Sequence, residues 1–268
     1  MNLIRKKFRI ALLENQLLRQ QTVEIKSSFN FLNQVNGLKP GSVSVVLGTT
    51  SSGKSTFMRS IIINTLNRNR FKKIVCYLSE ETVSEYTLEL FKATRGVDFQ
   101  DRLKIYSEQD CKTDQEKSAM MRKAFEEDAD IIIFDNITTS ALYDGRTPQH
   151  QSKFSNRLKS YAKKTSKALL CVAHTDGSVS KRMDRMISSS NIRGSKSLSN
   201  IAEFFYIIHQ MDSGGYLHSY LQIEKHRGQN PDSKLFMMNY NRDKNIYTSD
   251  METSFDSFKK TFKERDAL

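Results

Sequence analysis

Val43-Ser44-Val45-Val46-Leu47-Gly48-Thr49-Thr50-Ser51-Ser52-Gly53-Lys54-Ser55-Thr56 is the stretch that decides the fold. An apolar run of strand character leads into a segment that fits G-x-x-x-x-G-K-[ST] and then opens a helical pattern. Gly48 and Gly53 let the backbone curl so that N–H groups through Thr49, Thr50, Ser51 and Ser52 turn toward phosphate oxygens. The N-terminus of the helix opened by Lys54, Ser55 and Thr56 adds its partial positive charge. Lys54 is placed to reach β- and γ-phosphates, and the Ser55 hydroxyl to ligate Mg²⁺. This predicts a nucleoside triphosphate site with Mg²⁺, and the loop alone does not choose the nucleoside.

Two further segments supply the acids that such a site needs. Ala129-Asp130-Ile131-Ile132-Ile133-Phe134-Asp135 is an apolar strand ending in a carboxylate, the placement for an acid that holds magnesium beside Ser55. Ile74–Leu78 runs into Ser79-Glu80-Glu81-Thr82. A carboxylate at the C-terminal end of a strand faces the crevice where open α/β sheets bind ligands. Glu80 is the expected general base for an attacking water. Glu81 is the fallback, its alternative role being a favourable acid at the start of the next helix.

Outward from the loop, strands and helices alternate. The pattern predicts strands over Ser42–Leu47, Ile74–Ser79, Ile131–Asp135, Ala168–His174, Phe204–His209, Ser219–Lys225 and Leu235–Asn239. Helical periodicity covers Ser55–Asn67, Val83–Ala93, Asp114–Glu127 and Gln151–Lys164. Short apolar runs separated by amphipathic helices read as buried parallel strands of an α/β sheet. The last strands lack intervening helices, so the sheet should end in an antiparallel meander. Residues 3–20 carry one amphipathic helical stripe and a polar linker follows, giving an arm over 1–28. A single domain is expected over 29–250, with a polar, basic tail over 251–268.

Composition narrows the class. The chain has 268 residues, and 42 Lys and Arg against 30 Asp and Glu leave a net charge of +12. That surplus favours a polyanionic partner. No apolar run approaches the length of about 20 residues that spans a membrane. The N-terminus has neither the apolar stretch nor the small-residue site of a secretory leader. Cys76, Cys111 and Cys171 have no metal-ligand spacing, so neither a disulfide framework nor a zinc site is expected, and a reducing cytoplasm is the default.

Taken together, the P-loop, the strand ending in Glu80-Glu81, the strand ending in His174, Ile192-Arg193-Gly194-Ser195 with Leu198, and Lys225-His226-Arg227-Gly228 fall in the order seen in RecA-fold hexameric helicases. The chain resembles the motor domain of DnaB-like replicative helicases, closest to the helicase half of phage primase-helicases, over residues 29 to 248. The resemblance implies a RecA-like P-loop NTPase fold and a homo-oligomer, a hexameric ring with ATP at each subunit junction. It implies single-stranded DNA as partner, 5′ to 3′ translocation, a bacterial or phage-infected cytoplasm, and primase, a loader or other replisome proteins as further contacts.

By the same resemblance His174 is the γ-phosphate sensor and Arg227 an arginine finger acting on the neighbouring subunit's ATP. Lys225, two positions earlier on the same strand, is a second cationic contact, and Tyr240 stacks on the base. The long basic segment from Thr175 to Ser190 matches a channel loop that grips DNA through Lys181, Arg182 and Arg185. Thr138 to His150 is the second such loop, with Arg146 its candidate contact. Lys196 stands where the family usually has a second glycine. A RecA- or RadA-like filament ATPase, and a KaiC-like signalling ATPase, are the alternative readings. Closed rings that unwind a fork, filaments on single strands, or turnover indifferent to DNA tell the three apart.

Overall fold

The computed structural model describes residues 27–35, 38–70, 72–96, 99, 101–176, 187–194, 196–213, 216–226 and 234–258. The expected arm helix over 3–20 lies outside them, as do Lys181, Arg182, Arg185, Arg227 and the last residues of the tail.

The strands are β1 (Val43–Gly48), β2 (Ile74–Leu78), β3 (Leu103–Ser107), β4 (Ile131–Asp135), β5 (Ala168–His174), β6 (Phe204–Ser213), β7 (Tyr216–His226), β8 (Lys234–Asn241) and β9 (Ile246–Thr253). They form one sheet in the order β3-β2-β4-β5-β1-β6-β7-β8-β9. Pairing is parallel from β3 to β6 and antiparallel from β6 to β9. The helices are α1 (Asn30–Val35), α2 (Lys54–Arg68), α3 (Val83–Thr94), α4 (Asp114–Glu126), α5 (Pro148–Thr165) and α6 (Ser197–Ile201). The α/β architecture and its antiparallel finish are as the sequence predicts.

Alternation along the central strands builds two cores. Val46, Cys76, Ile133, Val172 and Tyr206 face a layer with Phe57, Ile61 and Ile62 of α2 and Tyr86 of α3. Val45, Val75, Ile132, Cys171 and Phe205 face the opposite layer, with Phe125, Phe154, Leu158 and Leu198. Both faces are covered, so β1, β2 and β4 are buried along their whole length. This is why they appear in the sequence as unbroken apolar runs. The helix starts follow local rules. Thr82 and Glu85 close a capping box on α3, Thr113 and Glu116 one on α4, and Thr147 caps α5 just before Pro148.

Two strands were not expected. β3 is an edge strand whose residues are only partly covered, and β9 is the polar edge at the other end. β9 runs to Thr253 and so crosses the boundary expected at residue 250. Beyond it Phe258 is buried against His209 and Tyr220, which moves the end of the packed domain outward. Among the described residues no helix is long and apolar enough to cross a membrane.

Candidate active site

Strand register brings the expected site residues to one level. Gly48 pairs with His174 across β1 and β5, and Leu78 pairs with Asp135 across β2 and β4. The C-terminal ends of these strands therefore open on a single cleft of about 730 Å³. Lys54, Ser55, Glu80, Asp135 and His174 all line it, with Thr50, Ser51 and Gly53 of the loop.

The loop glycines meet real constraints. A Cβ on Gly48 would collide with Ser52 Oγ and sit 3.2 Å from the Ile208 carbonyl. Gly53 adopts φ +83°, and a Cβ there would come within 2.6 Å of the Tyr247 hydroxyl. That hydroxyl lies 2.9 Å from Ser219 Oγ, so the antiparallel end of the sheet backs the phosphate loop directly. From Gly53 the chain enters α2, whose first turn carries Lys54, Ser55 and Thr56.

Lys54 is buried, and its ammonium donates to the Thr49 carbonyl at 2.6 Å. Burial lowers its pKa to about 8 against the opposing pull of Asp135 and Glu80. Asp135 is buried at the base of the cleft, and burial, with Glu81 and Glu80 nearby, raises its pKa to about 7. Ser55 lines the same cleft and acts to lower that pKa, while Asp135 Oδ2 is buried with no hydrogen-bond partner. A hydroxyl and an orphaned carboxylate oxygen beside a phosphate-shaped loop are a hard-oxygen donor set, which suits Mg²⁺. The residues present fit the ion.

The adjacent glutamates separate in space. Glu80 enters the cleft, its Oε1 3.0 Å from His174 Nε2. The hydrogen bond from His174 is the main cause holding the Glu80 carboxyl below the usual range. Glu81 is not in the cleft lining and lies 3.7 Å from Arg59, with burial pushing its pKa up. Of the two adjacent glutamates, Glu80 is the carboxylate that lines the cleft. His174 donates its backbone N–H to Thr138 Oγ1 at 2.8 Å, and its Nδ1 is buried without a partner.

Other expected residues lie elsewhere or are tied up. Arg146 is engaged by Asp114 and by the Ala141 carbonyl. Tyr240 is on β8, outside the cleft lining, half-exposed, with its hydroxyl 2.8 Å from Asn245 Oδ1. The Lys225 backbone pairs with Phe205 on β6. Residues not singled out for the site also line it: Asn136, Thr139, Thr175, Asp176 and Arg193. Arg193 grips Asp144 through both carboxylate oxygens, at 2.9 and 3.1 Å. The hydroxyl-rich run Thr138-Thr139-Ser140 after a strand end was the available signal for Thr139. Nothing local marks Asp176.

The two shifted groups set a pH window for ligand binding. Asp135 gains its negative charge as pH rises through about 7, and Lys54 loses its positive charge above about 8. Affinity for magnesium nucleotide should therefore climb through the first value and decline beyond the second. Calorimetric titrations on either side of both values check this. Asp135→Asn should abolish the rising limb and move the falling limb to lower pH, because Asp135 no longer supports the Lys54 charge, and a profile flat across both values contradicts the assignment.

No family model and no curated protein matches the sequence. Among solved structures, the chain is similar to a DnaB-like replicative helicase whose structure is described with its interactions with primase. The identity is 14%, the TM-score 0.67, and the match covers 90% of this chain and 66% of that one. It is similar also to the ATPase domain of G40P, at 14% identity and a TM-score of 0.69, covering 90% of this chain and 98% of that one. This chain thus spans about two thirds of the first protein and nearly all of the second. The likeness is one of fold: this chain has the fold shared by that DnaB-like helicase and the G40P ATPase domain.

Proposed function

We propose that this protein is an ATP-driven DNA helicase motor of the DnaB-like type, a homo-hexameric ring that moves 5′ to 3′ on single-stranded DNA. The observation that carries the reading is the convergence of Lys54, Ser55, Asp135, Glu80 and His174 in one cleft behind a P-loop. Lys54 would exchange the Thr49 carbonyl for the phosphates. Ser55 and Asp135 would hold Mg²⁺, which when bound neutralises charge on the β- and γ-phosphates. Glu80, kept ionised by His174, accepts the proton of the attacking water.

His174 also sits where a signal can leave the site. Arg193 donates its backbone N–H to the His174 carbonyl at 2.9 Å, and Asp176 N–H reaches the Asn191 carbonyl at 2.8 Å. Both ends of the segment carrying Lys181, Arg182 and Arg185 are thereby fastened next to the sensor. The Arg193–Asp144 pair ties in the turn that leads to Arg146. In this reading those cations grip DNA phosphates, Tyr240 stacks on the base, and Lys225 and Arg227 complete the site of the neighbouring subunit. Primase and a loader are the partners it implies.

The test is a subunit-mixing assay. Arg227→Ala should bind nucleotide without hydrolysing it, as should Glu80→Gln. Mixed rings should regain turnover at junctions where an intact Glu80 faces an intact Arg227. Mixtures as inactive as either parent argue against action in trans. Turnover indifferent to single-stranded oligonucleotide at low salt argues against the motor itself.

A further inference from the structure

Asn136, the residue after β4, lines the cleft, yet no step of the hydrolytic scheme uses it. It is 1% exposed, and its backbone is fully engaged. The N–H donates to Ser79 Oγ at 3.0 Å, and the carbonyl accepts from the Ser79 hydroxyl at 2.7 Å. On either side the chain is bonded to the neighbouring strands. Ser79 N–H reaches the Asp135 carbonyl and Ile137 N–H the Val172 carbonyl, both at 2.8 Å. The turn that carries Asn136 is therefore held to the end of β2 on one flank and to β5 on the other.

The side chain is tied through one of its two polar atoms only. Its Oδ1 accepts the Thr138 N–H at 2.9 Å and the Thr138 hydroxyl at 2.7 Å. A backbone N–H can only donate, so the atom it meets is the amide oxygen, and Nδ2 is the other branch. Nδ2 is buried and has no hydrogen-bond partner among the described residues. Two more polar atoms of cleft-lining residues share that condition, Asp135 Oδ2 and His174 Nδ1. The first accepts when ionised, and the second accepts while Nε2 donates to Glu80. Nδ2 alone must donate. An amide donor buried without an acceptor is costly, and one on a residue that lines a ligand cleft is explained when the ligand brings the acceptor.

Sheet order indicates which part of the ligand that is. β4 lies between β2 and β5, and Glu80 and His174, at the ends of those two strands, meet at 3.0 Å. The loop from β1 cradles the inner phosphates, so the group that projects toward β4 and the Glu80–His174 pair is the terminal one. We propose that Asn136 is a further phosphate-binding residue: its Nδ2 donates to an oxygen of the terminal phosphoryl group, so that the cleft tells a nucleoside triphosphate from a diphosphate. The inference rests on the triphosphate site proposed above.

The experiment follows the Asn136 side-chain amide of the whole chain by nitrogen-15 NMR, the resonance being assigned by its loss in Asn136→Ser. Serine is neutral, and its hydroxyl can still accept the Thr138 N–H, so the turn keeps its cap. In wild type the resonance should move on adding the magnesium complex of the β,γ-imido analogue of ATP and stay near its free position with magnesium ADP. In calorimetric titrations Asn136→Ser should bind the analogue about tenfold more weakly, the size of one hydrogen bond to a charged group, and bind ADP as wild type does. Asn136→Ala also loses the cap, so it should lose stability and show the same change in selectivity. An amide resonance that responds equally to both nucleotides, or a serine variant that keeps the wild-type preference, overturns the proposal. Wild type that binds neither nucleotide overturns it together with the site on which it rests, so the two failures are distinguishable.

Discussion

Glu80→Gln should stop nucleotide turnover and leave nucleotide bound. The amide keeps the volume of the side chain, and its oxygen can still accept from His174 Nε2 at the site of the 3.0 Å contact. It cannot take a proton from water, so the loss should be of the size general-base catalysis supplies, about 10²- to 10⁴-fold in kcat. Affinity should hold, because Lys54, Ser55 and Asp135 are untouched. Phosphate release under steady state, with an equilibrium binding titration of the same preparation, measures both. The paired control is Glu81→Gln. Its carboxylate serves Arg59 outside the cleft lining, so it should cost stability before turnover. Inactivation by the Glu81 change alone would hand the role to that residue.

Phe31→Ala should produce the largest loss of stability. The ring is fully buried and lies 5.4 to 5.9 Å, centroid to centroid, from Phe29, Phe57, Tyr206 and Phe236. It therefore joins α1, α2, β6 and β8. Truncating a buried phenylalanine costs about 3–5 kcal/mol, because the neighbours only partly collapse into the space left behind. At roughly 2–4 °C per kcal/mol for a domain of this size, the midpoint should fall by about 10 °C. Thermal and urea unfolding followed by circular dichroism test this, and Phe31→Leu should recover much of the loss. A drop below about 1 kcal/mol would mean that the cluster is not packed as described.

What the sequence announced, and what it hid, follows from how local each signal is. β1, β2 and β4 were legible because both faces are covered and nearly every residue is apolar. β3 escaped because an edge strand with an exposed Lys104 has no such run. β9 escaped because Thr248 and Met251 face outward between its buried residues, so it reads as polar tail. The phosphate loop is contiguous in the chain, and Glu80, Asp135 and His174 each terminate or follow an apolar run. All four were readable for that reason. Thr139 and Arg193 take their places through a turn and a register that join distant strands. The hydroxyl run holding Thr139 and the motif holding Arg193 are visible in the chain, but no local pattern encodes that they meet Glu80, Asp135 and His174 in one cleft.

Asp250 has a consequence for how the domain comes apart. It is buried on β9, and its carboxylate accepts the N–H groups of Asn30 and Phe31, while its own carbonyl accepts from Asn30 Nδ2. Helix α1 and strand β9 therefore share these hydrogen bonds, although 220 residues separate Asn30 from Asp250. Neither can peel away without leaving the donors of α1 and the acceptors of Asp250 unpaired. Fraying at the two extremities is then a single cooperative opening, and amide protons of α1 should exchange with solvent in step with those of β9.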